Sequence, residues 1–119
     1  MKQPDNPESL NAAGKVDAKV EAGAQARSLL ESAMTKANNG DGKGCLDDLN
    51  AYDKLDPTRP STDPKVSYSH TRSRCLMLAG KCDAGKKLMT DYFGALGNMK
   101  PATIDTVVKV EYDKVCAGK

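Results

Sequence analysis

The chain has 119 residues, with 18 basic against 16 acidic side chains and a formal charge of +2. That near balance leaves no electrostatic footprint for nucleic acid or an anionic lipid surface, and no apolar run approaches the ~20 residues needed to span a bilayer. With no Trp, one Phe and four Tyr, the core has to come from Leu, Val, Ala and Met, a lean supply for one small domain and a setting in which cross-links commonly add stability.

Residues 1–12 carry Pro4, Pro7 and several polar side chains and read as a flexible lead-in, leaving 13–119 as the folded domain. From about Asn11 to Asn38, Val16, Val20, Ala24, Leu29, Leu30, Ala33, Met34 and Ala37 recur at helical intervals, which predicts a long amphipathic helix with weak points at Gly14 and Gly23. Asn38-Asn39-Gly40-Asp41-Gly42 stops it, since glycine can adopt the left-handed conformation of a C-terminal cap. A second helix is expected from about Lys43 to Leu55, with Leu46, Leu49, Tyr52 and Leu55 on one side. Pro57, Pro60 and Pro64 then mark an extended loop.

Asp63-Pro64 reads as an N-cap and first turn of a third helix that runs to Ala79 and stops at Gly80. A fourth helix spans roughly Cys82 to Leu96, with Leu88, Met89, Tyr92 and Phe93 inward, and Gly97-Asn98 breaks it. The fifth starts near Pro101 and carries Ile104, Val107, Val108, Tyr112 and Val115 to Cys116. No second strand candidate exists to pair with its β-branched run, so the fold class is all-α.

The four cysteines, Cys45, Cys75, Cys82 and Cys116, suit two disulfides with three connectivities open. None of them forms the close pair that a structural zinc site or a thioredoxin-type motif requires. His70 precedes Cys75 by five residues, which puts the two on different faces of one helix and argues against Cys–His catalysis. Asp47-Asp48 reads as acidic charge in the first turn of the second helix, where it favours the positive end of the dipole. Asp41-Gly42-Lys43-Gly44 lacks the Lys-Ser/Thr ending of a phosphate loop and follows a helix instead of a strand. The Asn39–Asp41 region has no glutamate at the distance a calcium loop needs. Lys86, Lys87 and Lys100 read as solvated charges. No cofactor or metal is expected, and the chain is expected not to be an enzyme.

Gly40, Cys45, Leu49, Tyr52 and Asp56-Pro57 resemble the second half of a tetratricopeptide repeat: a glycine opens the second helix, a small residue follows, then bulky residues and a closing proline. Ala79-Gly80-Lys81-Cys82-Asp83-Ala84-Gly85, followed by Leu88 and Tyr92, resembles the same half-motif, and Ala117-Gly118-Lys119 echoes its start. The small residue of the first helices is present as Ala33 and Ser73, whereas Glu111 occupies that point in the third repeat. The resemblance covers about residues 26–119, with repeats starting near Ala26, Val66 and Ile104. It implies antiparallel helical hairpins stacked as a short right-handed solenoid. In such a stack the second helix of one repeat faces the first helix of the next, and the resemblance thereby implies Cys45–Cys75 and Cys82–Cys116 as the bridges. Each would contribute roughly 3–4 kcal/mol in the chain-entropy model.

The resemblance further implies a non-catalytic scaffold that binds a protein or peptide in the concave face. Arg27, Leu30, Met34, His70, Arg74, Met77 and Tyr112 match the groove-facing points, the two arginines being suited to a carboxylate. Paired disulfides imply an oxidising compartment, so the chain reads as an exported bacterial protein, periplasmic or extracellular, whose signal peptide is not part of this sequence. A cytosolic protein with free thiols is the alternative. A structural or sensory extracytoplasmic domain of a larger envelope or signalling protein, such as a receptor kinase or lipoprotein, is the second functional reading. A small enzyme or metal carrier is the third.

Overall fold

The computed structural model describes residues 18–117, and within them the chain is all-α. Five helices follow one another: α1 (Ala18–Asn38), α2 (Gly42–Leu55), α3 (Ser69–Leu78), α4 (Cys82–Leu96) and α5 (Pro101–Cys116). The lead-in expected over residues 1–12, Gly14 and the Gly118-Lys119 echo lie outside the described residues. Helix α1 continues through Gly23 without a break.

Local signals explain most of the boundaries. Helices α1 and α3 end in the same turn, 40 residues apart. Gly40 and Gly80 hold positive φ angles of 80° and 87°. Around the first, Gly40 N–H donates to Ala37 and Asp41 N–H to Lys36; around the second, Gly80 donates to Met77 and Lys81 to Leu76, at matching distances of 3.0 and 2.8 Å. Both are Schellman turns, in which a left-handed residue lets two backbone donors reach back to the last carbonyls of the helix. Asp41 then caps α2, its side chain accepting from Gly44 N–H at 2.8 Å. Gly97 ends α4 in the left-handed region, and Pro101 opens α5.

The third helix departs from the sequence expectation. Asp63-Pro64 does not open it: the Asp63 carboxylate accepts from Lys65 N–H at 3.0 Å, a local turn that competes with helix. The backbone then makes successive turns, with Asp63, Val66 and Ser69 N–H groups donating to Pro60, Asp63 and Val66. These turns bury Val66 to 4% exposure, and the helix begins only at Ser69. A second correction concerns Asp47-Asp48. Helix α2 starts at Gly42, so its first turn is capped by Asp41, and Asp48 instead pairs with Lys36 of α1 at 3.0 Å.

The core has two centres, and α3 belongs to both. Ala33, Ala37, Cys45, Leu46, Leu49 and Cys75 form the first, from α1, α2 and α3. Met77, Met89, Ile104, Val108 and Cys116 form the second, from α3, α4 and α5. Cys75 and Met77 are two residues apart, so an α-helix turns them to opposite sides, one toward each centre. Each centre holds one disulfide: Cys45–Cys75, with Cα atoms 6.0 Å apart, and Cys82–Cys116, at 6.1 Å. Both pairings agree with the sequence expectation. No cysteine is free.

Candidate functional site

Helix α3 also meets α1 and α5 directly, and the side chains singled out in the sequence are distributed along this row. Arg27, Leu30 and Met34 share one face of α1, at the spacing that aligns residues on a helix. Together with Glu31, with Ser67 and Tyr68 just before α3 and with Thr71 in its first turn, they line an open depression of about 290 Å³. Met34 is 48% exposed there, a large apolar side chain left in solvent.

The loop between α2 and α3 fixes the far wall of this depression. Tyr52 donates to the Tyr68 hydroxyl, which donates to the Arg59 carbonyl at 2.7 Å, and the two rings meet edge-on with centroids 4.6 Å apart. Burial and the hydrogen bond from Tyr52 push the Tyr68 phenol above its ordinary pKa, so it stays protonated. Behind it, Arg72 donates to Asn50 Oδ1 and Ser61 Oγ at 3.0 Å each. Asp53 accepts from the Ser61 backbone N–H and hydroxyl at 2.7 and 2.9 Å. This network straps the proline-rich loop to α2 and α3.

His70 and Arg74 lie farther along α3. The His70 ring packs on Tyr92 and Phe93 of α4, at centroid distances of 5.4 and 5.6 Å. Burial lowers its pKa; Glu111 works against that shift and Arg74 with it. Arg74 faces Glu111 of α5 at 3.9 Å, a distance that leaves its Nε without a hydrogen bond. Glu111, the residue that departs from the small-residue pattern, thus supplies a counter-charge to α3. Tyr112 lies on α5 with the Lys86 ammonium 5.2 Å from its ring centre, an attraction between a cation and the ring's negative face.

Arg27, Leu30 and Met34 therefore come together in one depression, while His70, Arg74 and Tyr112 lie outside its lining. Met77 has to be corrected. It is fully buried in the second core centre, because the face of α3 that matches the groove positions at His70 and Arg74 has turned inward one turn later. Cys75 is bonded to Cys45, so it offers no thiol to His70. Tyr68, Thr71, Ser67 and Glu31 were not anticipated. Reading Asp63-Pro64 as a helix start put Tyr68 inside the helix, whereas it stands at the helix entrance beside α1.

Among the described residues, no helix is long and apolar enough to cross a membrane, and no three His, Cys, Asp or Glu side chains gather as metal ligands would. No protein-family model matches the chain, and no curated protein or solved structure matches it either.

Proposed function

We propose that the protein is a non-catalytic interaction module, an antiparallel stack of tetratricopeptide-like hairpins forming a short right-handed solenoid. In this reading α1, α3 and α5 are the first helices of successive repeats and line a concave face that takes a protein or peptide segment. The observation that carries it is the solvent-open depression between α1 and the start of α3, where Leu30 and exposed Met34 lie beside Arg27. An apolar floor rimmed by an arginine suits a peptide that offers one apolar side chain and one carboxylate. Support for the repeat comes from the matched turns at Gly40 and Gly80. Further support comes from the small residues Ala33 and Ser73, both fully buried. Ala33 shares a core centre with Cys45, and Ser73 meets Gly85 at the corresponding place.

Two disulfides are compatible with an extracytoplasmic protein, and we place the module in the periplasm or at the surface of a bacterium. As a structural or sensory domain of a larger envelope protein, the module would use the same face.

The test is a photo-crosslinking amino acid at position 34, compared with one at exposed Lys87 on α4, in the oxidised protein within native envelope extract. A partner joined at position 34, displaced by excess unmodified protein and lost on Arg27→Glu, is the expected outcome. Equal labelling at both positions, or labelling indifferent to Arg27→Glu, would refute the assignment.

A further inference from the structure

The two disulfides differ in what surrounds them. Cys45 and Cys75 are both fully buried inside the first core centre. Cys82 is partly exposed, and with Cys116 it lines an open depression of about 370 Å³ shared with Gly80, Lys81, Asp83, Ala84 and Tyr112. Lys81 lies in this lining, and a second cation, Lys86, stands over the Tyr112 ring that forms part of the wall. Cys82 is also the first residue of α4, where the unpaired N–H groups of a helix end favour negative charge on a nearby sulfur.

We propose that Cys82–Cys116 is a thiol–disulfide exchange site, open to a dithiol reductant, while Cys45–Cys75 is a permanent structural bridge. Exchange requires a thiolate to reach a sulfur, so access decides which bridge reacts. Cys82 Sγ is the atom attacked, since Cys116 is only 6% exposed. The incoming thiolate bonds to Cys82 Sγ as the Cys82–Cys116 bond breaks, and the electron pair leaves on Cys116 Sγ, which takes a proton from solvent. The reductant's second thiol, once deprotonated, attacks its own sulfur in the mixed disulfide and expels the Cys82 thiolate at the positive end of α4. That thiolate is protonated in turn. The reductant departs as a disulfide, having given two electrons, and the protein keeps two thiols. Lys81 and Lys86 outnumber Asp83, the acidic residue of this lining, and draw in the attacking anion. Because the bridge ties α5 to the start of α4, its opening removes the covalent tie on the last helix while α2 and α3 stay linked through Cys45–Cys75.

The experiment treats the oxidised full chain with dithiothreitol for graded times, quenches by alkylation and maps labelled cysteines by mass spectrometry. Cys82 and Cys116 should be labelled faster than Cys45 and Cys75, by on the order of tenfold or more given the difference in access. Simultaneous labelling of all four, or earlier labelling of Cys45 and Cys75, would overturn the proposal. A second arm traps the first step with glutathione, which carries a single thiol. The mixed disulfide should map to Cys82, and its formation should slow on Lys81→Glu; attachment at Cys116, or a rate unchanged by Lys81→Glu, would overturn the assigned geometry.

Discussion

Gly85 of α4 lies against Ser73 of α3 so closely that a Cβ on the glycine would stand 2.6 Å from the Ser73 carbonyl oxygen and 2.7 Å from Met77 Cγ. The first of these neighbours is backbone and cannot yield as a flexible side chain would, so the two helices meet this closely only because position 85 carries no side chain. Gly94, about two and a half turns on in the same helix and so on its opposite face, has open space around its Cβ position. The pair makes an internally controlled experiment. Gly94→Ala should stabilise the protein by up to about 1 kcal/mol through helix propensity. Gly85→Ala should destabilise it by roughly 1–3 kcal/mol, because overpacking outweighs the same propensity gain. Urea unfolding of both variants reads the opposite signs; a stabilising Gly85→Ala would mean that the α3–α4 contact is looser than described.

Loss of both bridges should be severe. Each disulfide closes a long loop, with sequence separations of 30 and 34, and the chain-entropy model assigns roughly 3–4 kcal/mol to each. The sum is comparable with the whole stability of an ordinary small domain. Full reduction should therefore lower Tm by about 10 °C or more, or leave no cooperative transition at all. Calorimetry with and without excess reductant decides it, and an unchanged transition would contradict a role for the bridges in holding the two core centres together.

The parts of this fold that could be read from the sequence are those fixed by local chemistry. Glycine at a left-handed turn leaves its mark at Gly40 and Gly80 because few other residues adopt that conformation, and Pro101 marks a helix start because its missing N–H costs nothing there. The cysteine pairing was legible through the repeat resemblance, since facing helices impose a register. The start of α3 was not. Asp63-Pro64 is as good a turn as it is a cap, and burial of Val66 together with the Tyr52–Tyr68 bond, both tertiary facts, settles which one forms. The same limit applies to the candidate site. Met77 sits in phase with His70 and Arg74 on a helical wheel, yet α3 packs on four neighbours and retains little free surface toward its end.

Arg72 should behave as a structural cation. Its side chain is 14% exposed and that of Asp53 is 19% exposed, with a 3.6 Å separation between them. Ser61, which bonds both, is fully buried. Truncation by Arg72→Ala would leave Ser61 and Asp53 short of a donor within a partly dry pocket, at a cost of about 1.5–3 kcal/mol for hydrogen bonds to a charged group. A double-mutant cycle with Asp53→Ala should give a coupling well above that of the exposed Lys87–Asp91 pair on α4, whose worth in such measurements is about 0.3–0.5 kcal/mol. Equal coupling for the two pairs would show that the loop is not strapped through Arg72.

His70 is the only histidine in the chain, which makes its titration separable from the rest. It is held between Tyr92 and Phe93 of α4, with Arg74 on its own helix and Glu111 of α5 as the neighbouring charges. Burial lowers its folded pKa below the ordinary 6.5; the Glu111 carboxylate opposes this and Arg74 reinforces it. The folded state therefore binds the proton less readily than the unfolded state. Above pH 6.5 both are neutral at this residue and its contribution is complete. As pH falls through 6.5 the unfolded chain takes up the proton first, and stability declines until the pH reaches the lower folded value. Urea unfolding at pH 7.5, 6.5 and 5.5 should reveal that decline, and His70→Phe, which keeps an aromatic ring against Tyr92 and Phe93, should flatten it. Removing the opposing carboxylate with Glu111→Gln should lower the folded value further and steepen the loss. A slope that survives His70→Phe would assign the titration to other groups and remove His70 from the account.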